Sequence, residues 1–319
     1  MRGRRQGSVR VVPDSNFDTS DEVRSALNAG APVVALESTI ISHGLPRPDN
    51  LRVAREIEQT VRDNGAVPAT IGMVAGRLCV GLDDDALTTL ATSDDVVKLS
   101  IRDLAVAAAR GVDGATTVAS TSAVAAAAGI SVFATGGLGG VHREAAQTFD
   151  ESADLTTLAG APIVVVCAGV KSILDVGATL ERLETLGVGV VGYRTTRFPG
   201  FFVTDSGFEV DWKLDSPEQI ADAWRSHMAF GVSPAALVVA NPLPEDQQLD
   251  RDLHDRVLAE GLNIIERDHI TGKDVTPVLL EHFHTATEGA SLATNVRIIL
   301  ANAALAAQIA VAASREQRR

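Results

Sequence analysis

The sequence predicts a three-layer α/β/α sandwich with a central, largely parallel sheet and a small hairpin insertion. Short runs rich in Val, Ile and Ala recur along the 319 residues, and segments of helical periodicity separate them. The chain is 45% hydrophobic but only 4% aromatic, so its core is aliphatic. Apolar strands that alternate with helices pair in parallel and are covered on both faces.

The elements follow in order. Residues 1–20 read as a disordered tail, basic through Arg2, Arg4, Arg5 and Arg10 but with no apolar segment behind them. Residues 21–319 read as a single catalytic domain. It opens with a helix at 21–30, a strand at 32–36 and a helix at 49–64 whose Val53, Ile57 and Val61 share one face. Residues 69–80 form two strands around Gly76, the hairpin. A helix at 83–91, a strand at 96–99 and a helix at 102–110 closed by Gly111 come next. Strands are expected at 115–119, 130–135, 162–167, 188–192 and 235–240, with helices at 121–128, 172–186 and 217–229 between them. Two closing helices, 246–261 and 291–313, pack outside the sheet or against another subunit.

Composition excludes several functions. A net charge of −13 and a pI near 5.0 argue against nucleic acid as a partner and leave small molecules. Cys79 and Cys167 have neither disulfide-framework nor zinc spacing, and read as buried free thiols of a reducing cytoplasm. The apolar stretch at 298–313 is broken by Asn302 and Gln308, short of the roughly 20 strongly apolar residues that cross a membrane.

Ligands of open parallel sheets bind beyond the carboxyl ends of the strands. The chemically informative residues fall there. Glu37 follows Val33–Leu36, where a poorly solvated carboxylate suits proton donation, although a strand-end acid can equally be structural. The chain has only four lysines among its 28 basic residues, and Lys171 ends its most apolar run. An amine can lose its proton and attack carbon where a guanidinium cannot, so Lys171 is a candidate nucleophile; the alternative is a snorkelling lysine. Lys98 ends another strand, and Thr116–Ser120 lies at or just past a third. His43 opens a Gly- and Pro-containing loop that could close over a ligand. The run from Gly136 to Gly140 looks like a phosphate loop but matches neither established spacing. Asp150, Glu151, Ser152 and Asp154 supply hard oxygens, where one carboxylate with waters suits Mg²⁺ or Mn²⁺ and the alternative is a solvated helix start.

Longer motifs add a family resemblance. Residues 35–46, with Glu37 and His43, 136–143, 152–155, 167–175, 192–199, 239–244 and 291–295 together resemble the pseudouridine-5′-phosphate glycosidases, also called indigoidine synthase A-like proteins. The resemblance covers residues 21–313. It implies reversible cleavage of pseudouridine 5′-phosphate to uracil and ribose 5-phosphate, one Mn²⁺ per subunit, and a homotrimer. By motif, Lys171 matches the lysine that bonds sugar C1′ and Glu37 the proton donor. Asp150 matches the metal ligand, Lys98, Val118, Ser152, Ala153 and Asp154 match substrate-contacting positions, and Asn295 matches a contact to the base. Two rival readings fit the same residues: a class I aldolase-like lyase on another phosphosugar, and a sugar-phosphate-binding module without catalysis.

Overall fold

The computed structural model describes residues 17–270 and 275–317. The strands are β1 (Asp18–Thr19), β2 (Val33–Leu36), β3 (Val67–Val74), β4 (Arg77–Val80), β5 (Val97–Leu99), β6 (Gly114–Thr116) and β7 (Val132–Ala134). They continue with β8 (Val164–Cys167), β9 (Gly189–Tyr193), β10 (Arg197–Gly200), β11 (Val203–Glu209), β12 (Trp212–Leu214) and β13 (Leu237–Ala240). The helices are α1 (Asp21–Asn28), α2 (Asp49–Asp63), α3 (Asp84–Thr92), α4 (Leu104–Arg110), α5 (Val118–Ala127) and α6 (Ala145–Thr148). They end with α7 (Ala153–Leu158), α8 (Val176–Thr185), α9 (Pro217–Phe230), α10 (Arg251–Arg267), α11 (Val275–Ala286) and α12 (Ala290–Gln317).

The main sheet runs β1-β4-β3-β2-β7-β8-β13-β9-β12, and every pairing from β3 through β2 to β12 is parallel. The expected hairpin is β3–β4, which turns through Ala75 and Gly76, both at positive φ. Beyond its pairing with β2, β3 also meets β6 antiparallel, and β6 carries β5. This branch brings the Lys98 strand beside the main sheet.

Side-chain alternation explains the three layers. Val34, Leu36, Val132, Ala134, Val164, Val166 and Val239 point into one core, against α2, α9 and α12. Ala35, Phe133, Val165, Cys167, Val238 and Ala240 point into the other, against α1, α5, α7 and α8. Both faces of each central strand are buried, which is why these strands read as unbroken apolar runs.

Several expectations need correcting. The tail is ordered before residue 21, because β1 pairs with β4 and Asp18 is bonded to Arg77; residues 1–16 lie outside the described residues. The strand expected at 115–119 ends at Thr116, since Thr117 caps α5 by accepting from the Ser120 N–H, and Val118 is therefore helical. The helix expected from 172 starts at Val176, where Asp175 caps it and leaves 171–174 as a turn. Asp250 similarly delays the helix expected at 246. Cys79 is only half-buried, whereas Cys167 is fully buried and burial pushes its thiol up to about 12. The last helix has 28 residues, long and apolar enough to cross a membrane, but its Ile299, Ala303, Ala306 and Ala310 pack onto the sheet. Its apolarity is that of a core helix.

Phe133 is the largest side chain that the central strands bury completely. Phe133→Ala should lower unfolding free energy by about 3–5 kcal/mol in chemical denaturation, because transfer and cavity costs add.

Candidate active site

Register assembles the site. In the parallel ladder Ala35 pairs with Phe133 and Leu36 with Ala134, so Glu37 and Thr135 come next, as neighbours on the same face. Glu37 is 8% exposed, and its two oxygens are bonded by the Thr135 and Thr39 hydroxyls. A hydroxyl donates to a carboxylate or accepts from a carboxylic acid, so this seat holds Glu37 in either protonation state.

The neighbouring strand brings Lys171. Past β7 and β8 the two chains stay paired through Thr135 N–H to Val166 O, Ala168 N–H to Gly136 O, Leu138 N–H to Gly169 O and Lys171 N–H to Leu138 O, at 2.9–3.1 Å. Arg143 donates to the carbonyls of Ser172 and Ile173 at 3.2 and 3.3 Å, and the Ser172 hydroxyl donates to Gly200 O at 2.6 Å. The turn carrying Lys171 is therefore held on three sides, while no carboxylate forms an ion pair with Lys171 among the described residues.

The glycine run is a packing seam. A Cβ on Gly137 would lie 2.6 Å from the Phe201 ring, and one on Gly139 would lie 2.3 Å from Ser152 Oγ. Two of its N–H groups, and that of the following Val141, already have protein acceptors: Leu138 gives to Gly169 O, Gly139 to Asp154 Oδ2 and Val141 to Thr179 Oγ1. The phosphate-loop appearance comes from this close approach.

Lys98 arrives through a knot of buried hydroxyls. Ser38 Oγ donates to Ile71 O at 2.7 Å and accepts from Thr116 N–H at 2.8 Å, while Thr116 Oγ1 donates to Ile71 O at 2.6 Å. This knot fixes β6, and with it β5, against the end of β2. His43 lies on a π-helical turn, Ile40–Gly44. Partial burial first, then the Lys98 and Arg47 cations, pushes its imidazole below the usual range, so it is neutral at pH 7.

These residues line a cleft of about 520 Å³, in which Glu37, His43, Lys98, Lys171 and Asn295 meet Phe201 and Pro277. A second compartment of about 560 Å³ adjoins it through His43, Pro277 and Asn295. Asn295 is buried on α12 and its Oδ1 has no hydrogen-bond partner among the described residues. A carboxyl group, two amines and an unsatisfied amide oxygen in one half-enclosed space suit an anionic ligand with N–H donors.

The other expected site residues lie around this cleft without lining it. Asp154 accepts from Ala119 N–H at 2.9 Å and Gly139 N–H at 2.8 Å, tying the start of α5, and so Val118, to the glycine seam. Ser152 caps α7, whose first residue is Ala153. Asp150 is half-buried, 3.9 Å from His142 Nδ1, while adjacent Glu151 is paired with Arg182. No cluster of three His, Cys, Asp or Glu side chains occurs among the described residues. Asp150 therefore fits only a hard cation that keeps most of its waters, as Mg²⁺ and Mn²⁺ do. Sequence reasoning missed Thr39, Thr135, Arg143 and Phe201.

An amine and an acid facing one cleft beyond the carboxyl ends of a parallel sheet define an α/β/α enzyme. The chain belongs to the family described as "Indigoidine synthase A like protein", which it matches over residues 22–312. It is 72% identical over 319 residues to a Salinispora tropica protein named pseudouridine-5′-phosphate glycosidase, covering 99% of this chain and 98% of that one. A Streptomyces griseus protein of the same name is 59% identical, covering 92% and 91%. Among solved structures, the prealnumycin C-glycosynthase AlnA in complex with ribulose 5-phosphate is similar with a TM-score of 0.88 and 37% identity, covering 96% of this chain and 99% of that one. An indigoidine synthase A-like protein from Thermotoga maritima has a TM-score of 0.84 and 33% identity, covering 96% and 98%.

His43 and the buried His254 both sit below the usual histidine range, chiefly through burial, with Asp255 opposing the shift at His254. The unfolded chain then binds protons more readily than the folded one as pH falls through 6.5. Stability should be level above that pH and decline below it. Melting temperature measured from pH 7.5 to 5 should fall, and less steeply in His254→Gln.

Proposed function

We propose that this protein cleaves, reversibly, the C–C glycosidic bond of pseudouridine 5′-phosphate to give uracil and ribose 5-phosphate. The observation that carries the reading is the convergence of Lys171 and Glu37 in one cleft with the unsatisfied Asn295 Oδ1. The names of the relatives support the substrate. The AlnA complex supports a phosphosugar in this fold.

The bond explains the residues. A base joined through carbon has no heteroatom leaving group, so oxocarbenium hydrolysis by two carboxylates gains little. Attack of the Lys171 amine at C1′ opens the ribose, with O4′ leaving as a hydroxyl that takes the proton the amine gives up. The nitrogen lone pair then expels C5 of uracil, C5 takes a proton from Glu37, and a Lys171 imine of the sugar remains. Water adds to that imine and returns ribose 5-phosphate and the free amine. Lys98 supplies fixed positive charge for the 5′-phosphate, with Val118 and the Ser152–Asp154 turn shaping that end. Asn295 Oδ1 accepts an N–H of the base, and neutral His43 closes the rim.

Asp150 would hold one Mn²⁺ per subunit, whose chemistry is to offset phosphate charge and order the adjacent loop. The reading extends to a homotrimer.

Three measurements test this. Uracil release from pseudouridine 5′-phosphate should be lost in Lys171→Ala and fall about 10²–10⁴-fold in Glu37→Ala. Borohydride with ribose 5-phosphate should add the sugar at Lys171, and only a requirement for uracil in the reverse direction separates this enzyme from an aldolase-like lyase. Chelation should suppress turnover until Mn²⁺ is restored, and Asp150→Ala should need more Mn²⁺ for the same rate. Unchanged turnover in Lys171→Ala would sink the covalent route.

A further inference from the structure

We infer that Thr135 and Asn302 are positioning residues for the C–C cleavage step, acting through Glu37. The inference rests on the proton-donor role proposed for Glu37.

Asn302 is the anomaly that leads to it. It is fully buried on α12, in a turn otherwise made of alanine and leucine, where a lone amide is costly unless every polar atom is used. Both ends are used. Its Nδ2 donates to Thr135 O at 2.8 Å and reaches Gly136 O at 3.4 Å, and its Oδ1 accepts from Asn241 Nδ2 at 3.0 Å. Asn241 is anchored in turn by its own N–H to Cys167 O at 2.8 Å. One side chain thus ties the carboxyl ends of β7 and β13, and the Asn241 N–H extends the link to the end of β8.

The residue gripped by its backbone, Thr135, bonds Glu37 by its side chain. Thr135 does not line the cleft; Glu37 and Thr39 do. The acid is therefore held from the substrate side by Thr39 and from behind by Thr135, whose own position α12 sets. Asn295 lies on the same helix seven residues earlier, about two turns away, so both amides look toward the strand ends. The helix carrying the oxygen for the base also sets the acid that protonates it. An acid displaced by about 1 Å loses much of its rate advantage without any loss of substrate affinity.

The test uses the full chain and compares wild type, Thr135→Val, Thr135→Ser, Asn302→Ala and Glu37→Ala. Thr135→Val keeps the side-chain shape and the carbonyl that Asn302 holds, so it reports on the hydroxyl even if Asn302→Ala fails to fold. It should lower kcat for uracil release about a hundredfold with KM within about twofold, and Thr135→Ser should restore most of the rate. Borohydride trapping of ribose 5-phosphate on Lys171 should stay at the wild-type level in Thr135→Val, because that step does not use the acid. In a Glu37→Ala background Thr135→Val should cost nothing further. Wild-type kcat in Thr135→Val overturns the inference, as does a parallel fall in trapping, kcat and melting temperature. A wild-type enzyme that releases no uracil overturns the reading of Glu37, and the inference with it.

Discussion

The parallel register of β2, β7 and β8 is the constraint on which everything else depends. Leu36 opposite Ala134, and Ala134 opposite Val166, put the segments that follow these strands side by side at one end of the sheet. Glu37, Thr135 and the Lys171 turn are those segments. A slip of one residue would turn Glu37 toward the α12 core and face Leu36 to the cleft, exchanging a needed carboxyl group for a buried charge. The same alternation that seals both cores therefore also aims the acid.

Rigidity around this end comes from backbone groups satisfied in an unusual order. The pairing of β7 with β8 does not stop at the last strand residue but continues through the glycine seam as far as Lys171. The seam in turn is clamped by Asp154 and Thr179. Such a turn lacks the regular ladder of a strand yet has its backbone groups tied across the seam, which fixes where the Lys171 side chain starts. Lys98, Lys171 and Glu37 all line the cleft, so both signs of charge meet in it.

Much of this was legible in the sequence because strand-end chemistry is local. Lys171 and Glu37 each follow an apolar run, and the alternation of runs with helical segments reveals the layers without any partner information. Thr135 and Asn302 were not legible, since their importance lies in which strand neighbours which. The sequence does show Asn302 interrupting an apolar helix, but not the carbonyl it meets. The glycine run is ambiguous in sequence for a physical reason: absence of a Cβ serves close backbone packing as well as anion binding, and the close packing shows only in the neighbours, Phe201 and Ser152. Caps shifted the other boundaries, because Thr117, Asp175 and Asp250 start helices where apolar periodicity alone is indifferent.

The distribution of amines has a consequence for chemical selectivity. Lys213 is exposed beside Asp215, whereas Lys98 and Lys171 open into one cleft, so half of the lysines in the chain face the same small volume. Among the described residues the outer surface is otherwise written in arginine, which reacts poorly with aldehydes and acylating agents. A covalent fragment aimed at amines would find two of them in the cleft and, among the described residues, Lys213 as the one lysine outside it.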